Sequence, residues 1–200
     1  MRGPLVTPFH AGEIARRGTA RLRAGLPFIP MHFGQPSAGA PAAALAAAHR
    51  MLDRDPLGYE ERVELREKIA AYYADTHGVQ VELERILLTA GASAALVAAY
   101  AALFRPGDRV AVMRPGYPAY RNTLCAMRLE PVEVACGADM EFRPTPAMIE
   151  ALQPAPQGIV IASPANPTGA MLDGEQLAAL LATCRERGIR VISDEIYHGI

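Results

Sequence analysis

Tryptophan is absent from these 200 residues, and Lys68 is the only lysine among 20 basic side chains. Cysteine occurs three times, at Cys125, Cys136 and Cys184, with no CxxC pair. That spacing argues against a disulfide framework or a zinc knuckle. It suits reduced thiols, so a cytoplasmic location is expected. The five histidines form no HxxH or HxxxH pair, which gives a metal site no sequence support. A charge excess is missing as well. The 20 basic and 21 acidic residues leave a net charge of −1, so neither nucleic acid nor a membrane is expected as a partner. No stretch approaches the ~20 apolar residues of a membrane span. The N-terminal segment lacks the apolar run of a signal peptide. Arg16, Arg17, Arg21 and Arg23 there suit either an exposed basic helix or a transit peptide. No two glycines lie two residues apart and no Gly-Lys pair occurs, so GxGxxG and P-loop nucleotide sites are absent.

What is present is a chain that is 50% hydrophobic, long enough for one large domain or for one domain and part of another. At this size roughly 70% of the unfolded surface can be buried. Helices are expected over 11–24, 41–52 and 60–77. In the last of these, Leu65, Ile69 and Tyr72 share a face, and Gly78 stops the helix. Lys68 sits there four residues after Glu64, where an exposed ion pair is expected.

Strands and helices then alternate. The strands are RILLT (85–89), RVAVM (109–113), PVEVA (131–135), GIVIA (158–162) and IRVIS (189–193). Between them lie helices at 92–104, 117–127, 146–152 and 173–187, the last with Asp173 and Gln176 spaced as a capping box. This alternation predicts an α/β fold, a mostly parallel sheet with helices on both faces. The expected division is an N-terminal arm with the start of a small domain (1–45), followed by the first part of a large domain (46–200).

In open α/β sheets, ligands bind beyond the carboxyl ends of the strands. After RILLT come Gly91, Ala92 and Ser93 at a helix start, which suit a phosphate cradle or a plain turn capped by Ser93. Tyr117 follows RVAVM and can stack on a flat ring or fill a core position. Asn166 follows GIVIA inside a loop stiffened by Pro164, Pro167 and Gly169, which either positions an amide or is only a rigid turn. After IRVIS, Asp194 can meet a pyridinium nitrogen or cap a backbone group, and Tyr197 can donate to a phenolate oxygen. Taken together, four strand ends offer an anion cradle, a ring platform, a phenolate partner and a carboxylate. Those are the needs of pyridoxal 5'-phosphate (PLP).

In chain order stand FGQP, GYEERVELREKIAAYY, TAGASAAL, PGDRVAVMRPGYPAY, SPANPTG and SDEIYHGI. From about Phe33 onward this series resembles the class I/II aminotransferases, PLP enzymes of fold type I. The resemblance implies a three-layer doubly wound large domain and PLP as cofactor. It also implies amino-group transfer between an amino acid and a 2-oxo acid in a homodimer. It places Gly91, Ala92 and Ser93 on the phosphate and Tyr117 on the ring. It gives Asn166 and Tyr197 to the phenolate oxygen and Asp194 to the ring nitrogen. Asn166 and Gly34 lie by the substrate, and Tyr59 reaches the phosphate of the other subunit. Family structures suggest cis bonds at Arg114–Pro115 and Asn166–Pro167.

The family's cofactor-bearing lysine lies downstream of the D-x-x-Y strand, and Lys68 is no substitute. By that pattern the chain is expected to be an N-terminal fragment, inactive alone. Within the same fold, a β-lyase or cyclopropane-carboxylate synthase remains open. A PLP-binding transcription regulator would need a DNA-binding module upstream of about residue 30.

Overall fold

The structure is a computed structural model that describes residues 6–34, 38–54, 56, 58–59 and 62–198. The chain divides into two compact units, residues 10–88 and residues 89–200 with 1–9. The boundary expected after residue 45 falls inside the first of these.

Residues 10–88 carry three helices: α1 (His10–Arg23), α2 (Ala42–Arg54) and α3 (Val63–His77). Each lies close to its expected span; Glu60, the expected start of the third, is outside the described residues. Gly18 is buried in α1 because the Phe28 ring lies on it. A Cβ there would stand 2.3 Å from that ring. Gly78 ends α3 in the left-handed conformation at φ 66°, returning its N–H to the Ala74 carbonyl. Lys68 is exposed on α3. The expected ion pair with Glu64 is absent among the described residues.

The strand expected at 85–89 is also not formed. Leu83–Arg85 is a 3₁₀ turn, held where the Arg66 guanidinium donates to the Leu83 carbonyl at 2.9 Å. Ile86 is extended (φ −106°, ψ 111°), but among the described residues no strand pairs with it. An apolar segment has the propensity for a strand, yet a strand exists only where a neighbour completes its ladder.

The other unit holds a four-stranded parallel sheet of order β2-β1-β3-β4. Its elements in chain order are α4 (Ala92–Leu103), β1 (Arg109–Arg114), α5 (Pro118–Ala126), β2 (Glu130–Ala135), α6 (Pro146–Glu150), β3 (Gly158–Ala162), α7 (Gly174–Glu186) and β4 (Arg190–Asp194). The expected capping box of Asp173 and Gln176 is present at the start of α7.

Alternate residues of each central strand go to opposite faces. Val110, Val112 and Val160 pack with Leu96, Tyr100 and Phe104 of the α4 segment and Tyr120 and Leu124 of α5. On the other face Ala111, Ile159 and Ile161 pack with Ile149 of α6 and Leu180 and Cys184 of α7. Ile159, Ile161 and Leu180 are fully buried, each contributing about 1.5–3 kcal/mol of transfer free energy. The result is three layers, helices over and under a parallel sheet, as the alternation predicts. The chain leaves β1 toward β2 on one side and returns to β3 on the other. The strand order therefore reverses between β1 and β3, where α/β sheets open a crevice at their carboxyl edge.

Burial pushes the thiols of Cys136 and Cys184 up, so both stay protonated core residues. Close packing is most demanding at Gly158, the first residue of β3. A Cβ there would lie 2.2 Å from the buried Phe104 ring and 3.3 Å from the Arg190 carbonyl. Gly158→Ala is expected to destabilise the fold by about 1–3 kcal/mol. A denaturant midpoint unchanged from wild type would contradict this placement of Phe104.

Candidate active site

Parallel pairing brings the strand ends to one edge. Ala162 of β3 stands beside Asp194 of β4, and the Ser163 N–H donates to the Asp194 carbonyl at 3.2 Å. β1 runs parallel on the other side of β3 and delivers Arg114 to the same edge. The loops after β1, β3 and β4 carry Tyr117, Asn166 and Tyr197.

The turn after β1 needs its glycine. A Cβ on Gly116 would meet the Met113 carbonyl oxygen at 2.2 Å, so only glycine lets the chain reverse so tightly before α5. Tyr117 then caps α5, and Pro118 occupies the first turn, where its missing N–H costs nothing. The Tyr117 ring is half-buried and held edge-on by two neighbours. Tyr120 lies 5.5 Å away at 84° and Phe9 lies 6.3 Å away at 84°. Such edge-to-face contacts fix the plane of a ring and leave a face for stacking. The Arg114–Pro115 bond is cis, as expected.

The loop after β3 is closed by its own backbone. The Ala165 N–H donates to the Ala170 carbonyl and the Gly169 N–H to the Ala165 carbonyl, with Gly169 at φ 72°. Asn166–Pro167 is cis, as expected, and so are Ser163–Pro164 and Gln153–Pro154, which the sequence reading leaves unassigned. Asn166 Nδ2 donates to the Tyr197 hydroxyl at 3.1 Å. The two residues expected at one oxygen are thus already adjacent.

Asp194 ends β4. Its Oδ1 accepts the Ile196 N–H at 3.1 Å, and its Oδ2 accepts the Tyr120 hydroxyl at 2.6 Å. The carboxylate therefore both caps its own turn and joins the core of α5. Glu195 faces elsewhere, accepting from Ser193 Oγ at 2.8 Å and lying 3.3 Å from His198 Nδ1.

At the start of α4, Gly91 is the N-cap, at φ 84° with open space around its missing Cβ. Gly91, not Ser93, holds the N-cap position, and Ser93 stands in the first turn of the helix. The first free N–H groups of α4, at Ala92 and Ser93, are the ordinary anion-binding groups of a helix start. α4 leads into β1 through a short loop, and its C-terminal Phe104 covers the start of β3. Its N-terminus accordingly lies toward the carboxyl edge of the strands.

Gly34 and Tyr59 belong to residues 10–88, and both are exposed. Among the described residues, no three His, Cys, Asp or Glu side chains cluster as metal ligands. Among the described residues, no helix is long and apolar enough to cross a membrane.

Sequence reasoning missed Tyr120 and Phe9. Tyr120 had a usable signal: it follows Tyr117 by three residues at a helix start, which puts both rings on one face. Phe9 had none, since its contact depends on where the N-terminal segment returns.

The family described as aminotransferase class I and II matches residues 29–200. The chain belongs to this family. It is 42% identical over 98% of its length to a valine–pyruvate aminotransferase of Mycobacterium tuberculosis, covering 51% of that protein. It is 31% identical over 84% of its length to an aspartate aminotransferase of Pyrococcus horikoshii, covering 44% of it. A crystal structure of an aminotransferase from Mycobacterium tuberculosis superposes with a TM-score of 0.94 at 42% identity, over 100% of this chain and 53% of that one. The aspartate aminotransferase of Thermus thermophilus with maleate superposes with a TM-score of 0.89 at 29% identity, over 98% of this chain and 54% of that one. The chain therefore spans about half the length of these relatives. The family depends on PLP, and the residues at the carboxyl edge suit that cofactor.

Burial raises the phenols of Tyr100 and Tyr120 far above the usual value near 10, and the Asp194 charge raises them further. The unfolded chain releases these protons near pH 10 while the folded chain keeps them. Stability is thus fully present below about pH 10 and falls as pH rises beyond it. Tyr120→Phe is expected to flatten that fall, measured as denaturant midpoints at about pH 8 and about pH 11. Identical pH slopes in wild type and variant would contradict it.

Proposed function

We propose that the protein transfers an amino group between an amino acid and a 2-oxo acid, with PLP held at the carboxyl edge of the sheet. The observation that carries this reading is Asp194. It is a partly buried carboxylate with two neutral donors and no ion pair among the described residues. A partly buried charge held by neutral donors is stabilised further by a cationic partner, and a protonated pyridine nitrogen is one.

The other groups divide the remaining work. The N–H groups of Ala92 and Ser93, with the Ser93 hydroxyl and the open approach at Gly91, bind the phosphate. The fixed ring of Tyr117 supports the pyridine face. Asn166 and Tyr197 donate to the phenolate oxygen, Asn166 also helps place the substrate carboxylate, and Gly34 lies by the substrate, as the family resemblance implies. Asp194 keeps the ring nitrogen protonated, and the bound cofactor then supplies the electron sink that the reaction needs. Tyr59 reaches the phosphate site of a second copy, which makes the working unit a homodimer. Residues 46–200 belong to one large domain in this reading, and residues 1–45 supply the arm and the start of a small one. The balance of charge and the unpaired cysteines support a cytoplasmic setting without nucleic acid or membrane partners. The relative at 42% identity is named for valine and pyruvate, so that pair is the first to assay.

In a full-length version that extends these residues to the length of the relatives, Asp194→Ala is expected to lower transaminase turnover roughly 100-fold or more, the scale of losing a preorganised electrostatic group. Glu195→Ala is expected to leave it near wild type, because among the described residues the Glu195 carboxylate meets Ser193 and His198 and not the site. Comparable losses at both positions would overturn the assignment of Asp194.

A lysine is needed to carry the cofactor covalently, and Lys68 is exposed on α3. Incubation with PLP, borohydride reduction and peptide mapping, alongside a turnover assay, is expected to show no stoichiometric labelling of Lys68 coupled to amino transfer. Stoichiometric pyridoxyl-Lys68 with amino transfer would mean a different site.

A further inference from the structure

Residues 6–9 group with residues 89–200, whereas α1, which begins at His10, belongs to the other unit. Two bonds to one side chain hold this segment. Thr7 Oγ1 donates to Asn122 Oδ1 at 2.8 Å, and Asn122 Nδ2 donates to the Thr7 carbonyl at 3.1 Å, across a sequence separation of 115 residues. Two bonds between the same pair of residues fix orientation as well as distance, and the pair is ordered once for both. Asn122 lies half-buried in the middle of α5, where asparagine is a weaker helix former than alanine. Helix propensity gives no reason for it there, while the clasp uses both ends of its amide.

From the clasp to Phe9 the backbone has little freedom. Pro8 fixes its own φ and biases Thr7 toward extended backbone. The Phe9 ring arrives edge-on at Tyr117, 6.3 Å away at 84°. Tyr117 caps the same helix that carries Asn122, so the clasp and the ring contact brace one short stretch of chain from outside. The two rings beside Tyr117 are held differently. Tyr120 is buried in the core. Phe9 is 40% exposed, so its place depends on the segment that carries it. A ring braced on two edges keeps one plane before a ligand arrives, and an ordered platform binds a flat ring without the cost of ordering itself.

We propose that Asn122 is a positioning residue for ring binding: by clasping Thr7 it seats Phe9 against Tyr117 and presets the plane on which the pyridine ring stacks. This rests on the reading of Tyr117 as the ring platform under Proposed function. Asn122 itself has no assigned contact with cofactor or substrate.

The test uses a full-length version that extends these residues to the length of the relatives. Two probes are titrated. Pyridoxamine 5'-phosphate carries ring and phosphate but no aldehyde for a lysine, and inorganic phosphate carries no ring. Asn122→Ala removes the clasp and raises helix propensity, so α5 itself is not weakened. It is expected to weaken the ring-bearing probe roughly three- to tenfold, the scale of one edge-to-face contact, and to leave inorganic phosphate unchanged. Thr7→Val breaks one of the two bonds and is expected to weaken the same probe by less. Thr7→Ser keeps the hydroxyl and is expected to bind as wild type. In a Tyr117→Ala background, itself weakened toward the ring-bearing probe, Asn122→Ala is expected to add nothing, because both act through one contact. Equal weakening toward both probes in Asn122→Ala would mean that the clasp only steadies the fold, and would overturn the proposal. So would unchanged binding of the ring-bearing probe in Asn122→Ala, a Thr7→Ser no better than Thr7→Val, or an undiminished effect of Asn122→Ala in the Tyr117→Ala background. A Tyr117→Ala variant that binds the ring-bearing probe as wild type does, or a wild type that does not bind it, would instead remove the reading of Tyr117 and the proposal with it.

Discussion

The parallel ladder that sets Ala162 beside Asp194 also sets Val110 beside Gly158 and Gly158 beside Arg190, and every other feature of the site follows from it. Parallel strands end at a common edge, so the loops after β1, β3 and β4 open on the same side. A slip of one residue would turn Ile159 and Ile161 out of their layer and Val160 into it. The tight fit of Gly158 under Phe104 opposes such a slip. The core therefore fixes the register, and the register delivers the polar residues to one place.

The two faces of the sheet are unequal partners in this. The face toward α6 and α7 is closed by Ile149, Leu180 and Cys184, with Thr183 of α7 also buried. The face toward α4 and α5 carries two buried tyrosines, one bonded to Asp194 and one without a partner. Polar groups inside a hydrophobic layer cost free energy unless they are satisfied. The bonded one, Tyr120, reaches from this layer to the end of β4 at the carboxyl edge.

Much of this arrangement was legible in the amino-acid order. Four strands, the helices between them and both expected cis prolines lie where patterning and resemblance put them. Local rules suffice there, since each strand alternates or runs apolar within five or six residues and α6 and α7 carry their own caps, such as Asp173 with Gln176. Asn166 and Tyr197, read separately, prove to be hydrogen-bonded. The segment 85–89 was misread because its composition is that of a buried strand while its ladder requires a neighbour, and no pattern within five residues reports one. The ion pair expected between Glu64 and Lys68 failed for a related reason: spacing permits an exposed pair, but its small net gain does not enforce it.

The sequence by itself determined the alternation of elements, the identity of the polar residues at each strand end and membership in the aminotransferase family, because these depend on short-range periodicity and on residue order. Only the tertiary structure decided which of those residues meet. The bond from Tyr120 to Asp194 spans 74 residues, and the contact of Phe9 with Tyr117 joins the beginning of the chain to its middle. Such pairings follow from strand order and register, which arise from the packing of the whole sheet and leave no mark in either partner's local sequence.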